Sequence, residues 1–194
     1  CEVPLTDHGA VVSKFLILIN DWDDQLLSVV EEDLILESSY CTADLTIRPS
    51  DLPLPHPGRE PNSSGVAYPT MVIEVGTTET ISSLHDLSAR YFSSRTTIQI
   101  YLAIKLFPIR QDHTRAMLVM HFLLNNIGVP DANITGVGRF NAIAYNDPRI
   151  PNYQLNIPAA ELYNGTPNGI PPDAVDGIDL DLWKIQKAAL HPYH

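Results

Sequence analysis

Cysteine is scarce in this 194-residue chain: Cys1 and Cys41 are the only two. That excludes a disulfide framework and a zinc site, and both thiols are expected to be free. Long apolar runs are missing too. The longest, Phe15–Ile19, stops at Asn20 and Asp21, far short of the roughly 20 residues a membrane span needs. No membrane association is expected. No secretory leader is visible in a chain that opens at Cys1, and an intracellular location, cytoplasm or nucleus, is expected. There is no P-loop and no Gly-x-Gly-x-x-Gly; Gly136-Val-Gly138 is too short to count. The aromatics are not clustered as a base-stacking platform would be. His56, His85, His113 and His121 lack metal-ligand spacing, and His121, inside an apolar run, reads as a satisfied core residue. Three Asn-x-Ser/Thr matches among eleven asparagines are read as chance. No internal repeat is present.

Positive charge is also short. The net charge of −11 argues against indiscriminate binding to nucleic acid. The deficit is uneven. Residues 1–37 carry nine acids against Lys14, a net of −8, while residues 85–149 carry seven basic residues against four acids, a net of +3. A local basic surface in the middle of the chain remains open.

The periodicities supply the elements. Val11, Phe15, Ile19, Trp22, Leu26 and Val30 recur at helical spacing and predict a helix over 8–30, in one piece or divided at Asn20 and Asp21, with Asp7 as its cap. Asp21, Asp23 and Asp24 then fall on a solvated face. Leu34–Leu36 and Ala43–Arg48 read as strands, 49–65 as a loop with five prolines, and 70–76 as the next strand. Residues 80–92 predict a helix capped by Thr78 or Thr80. Thr97–Phe107 alternates strictly, Ala116–Leu124 reads as a buried strand, and 139–145 as another. The loop-rich segment 147–177 includes a strand-like piece at Tyr153–Ile157, and a helix over 181–190 closes the chain, capped by Asp179 or Asp181. The class is a mixed α/β or α+β fold.

One strand stands out for chemistry. In Met71-Val-Ile-Glu-Val-Gly76, Met71, Ile73 and Val75 share one face, and Val72, Glu74 and Gly76 the other. A charge inside an apolar strand is costly unless it is paired or binds a metal. The carboxylates near predicted strand ends are Glu37, Asp44, Asp51 and Glu74. Two of them brought together could hold Mg²⁺, which favours hard oxygen ligands.

The stretch Pro69–Gly76, with Thr78-Glu79-Thr80, Leu84-His-Asp86 leading to Ala89-Arg-Tyr-Phe92, and the strand Ile98–Phe107, resembles the PD-(D/E)XK restriction-endonuclease-like superfamily. It is similar in particular to a fungal branch of restriction-endonuclease-like domain proteins. Less strictly, Asp44–Pro55 matches the "P-D" region, and Ile157–Tyr163 matches near the end. The resemblance covers residues 8–107 well and the rest loosely. It implies an αβββαβ core with a mixed central sheet, within a single domain over 1–194 whose part from 108 adds strands, long loops and a C-terminal helix. It also implies Asp51 and Glu74 as the metal-ligand pair, with Mg²⁺ as cofactor. The lysine of the family's Glu-x-Lys would fall on position 76, which is Gly76. Arg90 and Lys105 are the candidate replacements. Against them stand an exposed Asp86–Arg90 pair one helix turn apart and a lysine snorkelling at a sheet end.

Three functions follow. The first is an Mg²⁺-dependent nuclease cleaving phosphodiester bonds in DNA or RNA, with Asp51, Glu74, Lys105 and Arg90 at its site. The second is a nuclease-like fold without catalysis, binding nucleic acid or protein. The third is an interaction protein that uses 147–177 as its contact surface. A homodimer is compatible with the resemblance, although no heptad or interface pattern appears.

Overall fold

The computed structural model describes residues 6–37, 39–111, 113, 115–124, 130–137 and 147–190. Helix α1 (Thr6–Trp22) buries Val11, Phe15 and Ile19 completely, each contributing about 1.5–3 kcal/mol of apolar transfer. The helix ends eight residues before the expected boundary at Val30. Asp23 makes the break: its Oδ1 accepts the Gln25 N–H at 2.8 Å, and its other oxygen accepts the Tyr163 hydroxyl. It therefore acts as a turn cap rather than as part of a solvated helix face. Leu26–Val30 belong instead to strand β1 (Leu26–Leu36), which pairs with β2 (Ser39–Pro49) from Leu26↔Pro49 to Leu36↔Ser39. Five residues of helical spacing do not separate helix from strand. The β-branched Val29 and Val30 favour the extended chain, and pairing along the whole of β2 decides the outcome.

Strands β3 (Met71–Gly76), β4 (Ile100–Leu106), β5 (Met117–Leu124) and β6 (Pro130–Val137) follow in spatial as well as sequence order, giving a six-stranded sheet β1-β2-β3-β4-β5-β6. Helix α2 (Ile81–Tyr91) connects β3 to β4, the one parallel pair in this sheet; its other neighbours are antiparallel. The expected αβββαβ order is thus present from α1 to β4. The strand expected at 139–145 lies outside the described residues.

The sheet separates two apolar layers. Met71, Ile73 and Val75 of β3 join Ile100, Leu102 and Ile104 of β4 against α1 and the C-terminal elements. Val72, Tyr101 and Ala103 face the other way, with Leu84 and Tyr91 of α2. The alternation read from the sequence in β3 therefore holds, with apolar packing on both faces. His121 on β5 is buried as expected, but its Nε2 has no hydrogen-bond partner among the described residues. Burial pushes its imidazole down to about 4, so it stays neutral at ordinary pH.

The proline-rich loop after β2 is tied to the sheet by a buried ion pair. Arg48 bonds the Glu32 carboxylate, which also accepts Asn62 Nδ2 at 3.0 Å, and Arg48 Nη1 reaches the Ala67 carbonyl at 2.5 Å. Past residue 147 the chain forms a 3-10 turn (Pro151–Tyr153), β7 (Gln154–Ile157), a short helix α3 (Ala159–Leu162), β8 (Ile178–Asp181) and α4 (Leu182–Leu190). Gly177 has φ +75°, and a Cβ there would lie 2.3 Å from the Ile157 carbonyl oxygen, so glycine is required where β7 and β8 meet. Asp181 caps α4, its Oδ1 accepting the Trp183 N–H at 3.1 Å. Among the described residues no helix is long and apolar enough to cross a membrane.

Candidate active site

Glu74 lies on the α2 face of β3, and only 8% of it is exposed. Thr80 caps α2 by accepting the Ser83 N–H at 3.0 Å, and the helix then lays Leu84 and Tyr91 onto the sheet. The Tyr91 hydroxyl donates to Glu74 Oε1, and Cys41 Sγ stands 3.2 Å from the same hydroxyl. A residue on the helix's apolar stripe thus also holds a carboxylate.

The second carboxylate at the site is Asp44. The β2–β3 register runs Leu45↔Ile73, Thr46↔Val72, Ile47↔Met71, and one further step sets Asp44 opposite Glu74. Strand alternation breaks at this point. Ala43 packs in one apolar layer and Leu45 in the other, although they are two residues apart. On the partner strand Glu31, in the gap between the pairs Val30↔Leu45 and Glu32↔Ala43, has φ +54°. One residue stands between these pairs on each strand, so the register is unbroken and the irregularity is local to Glu31 and Asp44. Asp44 Oδ2 accepts the Val75 N–H at 2.7 Å and stands 2.9 Å from His8 Nε2 on α1.

Electrostatics follow from this crowding. Burial pushes the Glu74 carboxyl up to about 8; the Tyr91 hydrogen bond opposes that, while the Asp44 charge, a hydrogen bond with Asp44 and the Glu79 charge add to it. Burial disfavours the charged form and the nearby Asp44 charge adds to that, so Glu74 keeps its proton at neutral pH. His8 is raised above its ordinary value, first by its hydrogen bond to Asp44 and against the effect of burial. Glu79 is exposed at the rim, its Oε2 accepting the Thr78 N–H at 3.1 Å.

Asp51 and Glu74 are not brought together. Asp51 sits seven residues beyond Asp44, roughly 20 Å of extended chain away. It lies in a turn, where its carboxylate accepts Asn168 Nδ2 at 2.9 Å beside a separate cleft of about 290 Å³. The proline-rich loop carries the chain from Asp51 back to the start of β3, so Asp51 lies towards the opposite end of the strand from Glu74.

Gly76 and Lys105 are direct partners across the parallel β3–β4 pair. A Cβ on Gly76 would lie 2.8 Å from Leu84 Cδ1 and 3.2 Å from Glu79 Cβ, so α2 closes the space where the lysine of Glu-x-Lys would project. Lys105 is 8% exposed and donates from Nζ to the Thr77 carbonyl at 2.7 Å, with the Phe107 ring centroid 6.0 Å away. It is buried next to the position that lacks a lysine, rather than snorkelling into solvent. Arg90 is exposed and reaches Ser39 Oγ at 3.0 Å; it forms no ion pair with Asp86.

Sequence reasoning passed over His8 and Tyr91 and chose Asp51 ahead of Asp44. The rule that singled out Glu74, a charge within an apolar strand, applies equally to Asp44 between Ala43 and Leu45. Tyr91 looked like core packing, which it also provides. Nothing in the sequence around His8 distinguishes it.

Among the described residues no three His, Cys, Asp or Glu side chains are grouped as a metal-binding set; the donor set is the carboxylate pair. No protein-family model and no curated protein matches the chain. Among solved structures, it is similar to a "putative nuclease belonging to DUF820" from Anabaena variabilis. The TM-score is 0.54 at 11% identity, over 97% of this chain and 84% of that one. At that identity the likeness concerns the fold, which is restriction-endonuclease-like.

Proposed function

We propose that the chain is a metal-dependent nuclease that hydrolyses phosphodiester bonds in DNA or RNA, with Mg²⁺ held by Asp44 and Glu74. The observation that carries this reading is the meeting of two carboxylates from neighbouring strands, Asp44 opposite Glu74 and hydrogen-bonded to it. An all-oxygen pair suits Mg²⁺, which binds through one or two carboxylates and keeps several waters. When bound, Mg²⁺ lowers the pKa of a water and neutralises charge on a phosphodiester. The chain's own residues prepare the site. The Val75 N–H and His8 fix Asp44 Oδ2, and the Tyr91 hydroxyl fixes Glu74 Oε1. Lys105 holds a buried positive charge beside position 76, where it stabilises negative charge on the phosphate. Arg90, exposed and always protonated, contacts the nucleic-acid backbone. The nuclease-like fold shared with the Anabaena neighbour, itself described as a putative nuclease, supports the same reading.

A second reading is a nuclease fold that has lost catalysis and serves as a binding module. Gly76 favours it, because Leu84 and Glu79 fill the space a lysine would need. Cleavage assays on single- and double-stranded DNA and RNA with Mg²⁺ separate the two. Glu74→Gln abolishes cleavage with the circular dichroism spectrum unchanged under the first reading. Under the second, the wild type cleaves nothing and its binding survives the substitution. Cleavage that persists in Glu74→Gln overturns the proposed site.

A further inference from the structure

A second cavity lies at the other end of β3. It occupies about 410 Å³ between the proline-rich loop and the turn that follows α2, within the size range of small-molecule sites. Its lining joins the apolar Leu52, Pro53 and Pro55 to the basic His56, Arg59 and Arg95, with polar side chains from the turn after α2. No Asp or Glu lines it, in a chain whose net charge is −11.

The cavity is built on tethered chain. Tyr68 spans it, its hydroxyl donating to the Ile35 carbonyl at 2.5 Å and accepting from Arg95 Nε at 3.1 Å. Arg95 Nη2 reaches the Glu60 carbonyl at 3.4 Å, and the Ile35 N–H bonds the Pro61 carbonyl at 2.6 Å. The loop that bears Arg59 is thus pinned to the sheet on one side and to the turn after α2 on the other. Neither Arg59 nor Arg95 has a carboxylate partner among the described residues. Two guanidinium groups without counter-charge beside a cavity call for an anion. Guanidinium geometry matches phosphate oxygens. The proline and leucine wall offers few hydrogen bonds, so it suits a flat, weakly polar body better than a bare ion or a polyhydroxylated sugar.

We infer that this cavity binds a nucleoside monophosphate, the phosphate on Arg59 and Arg95 and the base against the Leu52–Pro55 wall. The site is separate from the carboxylate pair. Tyr68 precedes Glu74 by six residues, roughly 20 Å of strand, and the inference does not depend on the nuclease reading.

Isothermal titration calorimetry on metal-free protein tests it, with AMP, adenosine and inorganic phosphate as probes. AMP is expected to bind, with adenosine and phosphate each weaker by about tenfold or more, because each lacks one half of the recognition. Arg59→Ala, at an exposed position whose side chain bonds no other group among the described residues, is expected to weaken AMP by about tenfold or more. Glu74→Gln is expected to leave AMP affinity unchanged. AMP binding no tighter than phosphate overturns the inference. So does AMP binding that survives Arg59→Ala, or AMP binding lost in Glu74→Gln, which would move the ligand to the carboxylate site.

Discussion

Lys105 stands beside Gly76 across the parallel strands β3 and β4, and its ammonium is bonded to the carbonyl of the next residue, Thr77, at 2.7 Å. Under the proposed function, the positive charge that Glu-x-Lys places on the same strand as the carboxylate comes from the adjacent strand. Lys105→Met keeps the stem and removes the charge. It is expected to lower the rate of Mg²⁺-dependent cleavage by about 10²–10³-fold, with substrate KM changed far less. Steady-state kinetics separate this from a packing role, in which folding would suffer and the cleavage rate per folded molecule would not.

The converse substitution should not repair the motif. A side chain on residue 76 runs into Leu84 and Glu79, and overpacking of this kind costs about 1–3 kcal/mol. Gly76→Ala is therefore expected to lower the unfolding free energy by that amount, and Gly76→Lys to restore no activity to a Lys105→Met background. Urea denaturation and the double variant's cleavage rate provide the check.

Stability should carry the signature of the carboxylate pair. The folded chain keeps a proton on Glu74 up to about pH 8, whereas an unfolded glutamate releases it near 4.5. The folded state binds the extra proton, so in metal-free buffer its stability falls as pH rises from about 4.5 to about 8. Glu74→Gln removes that loss. The variant is expected to melt higher than the wild type at pH 8, with the difference shrinking towards pH 5. Equal melting temperatures across the range would contradict the proton on Glu74.

Much of the fold was legible because its elements are long or strongly periodic. The strict alternation of β4 and the capped stripe of α2 are read directly from the residues. The C-terminal half of the first predicted helix was not legible, because Leu26–Val30 has helical spacing and strand residue types at once, and only pairing with β2 resolves it. The site was half legible. Glu74 announces itself as a charge in an apolar strand. Asp44, between Ala43 and Leu45, answers to the same rule, but only the pairing of β2 with β3 sets it beside Glu74, and that pairing is not written in local residue preferences. Asp51 offered the better-looking motif, Pro-x-Asp, at the wrong end of the strand. The His8 contact depends on where α1 crosses the sheet, a long-range fact.

The assignment of Asp44 in place of Asp51 is the central claim, and direct metal binding tests it without a substrate. Mn²⁺, read by electron paramagnetic resonance as a stand-in for Mg²⁺, is to be titrated into the wild type, Asp44→Asn, Asp51→Asn and Glu74→Gln. Binding is expected to be lost in Asp44→Asn and Glu74→Gln and unchanged in Asp51→Asn. Loss in Asp51→Asn with full binding in Asp44→Asn would contradict it.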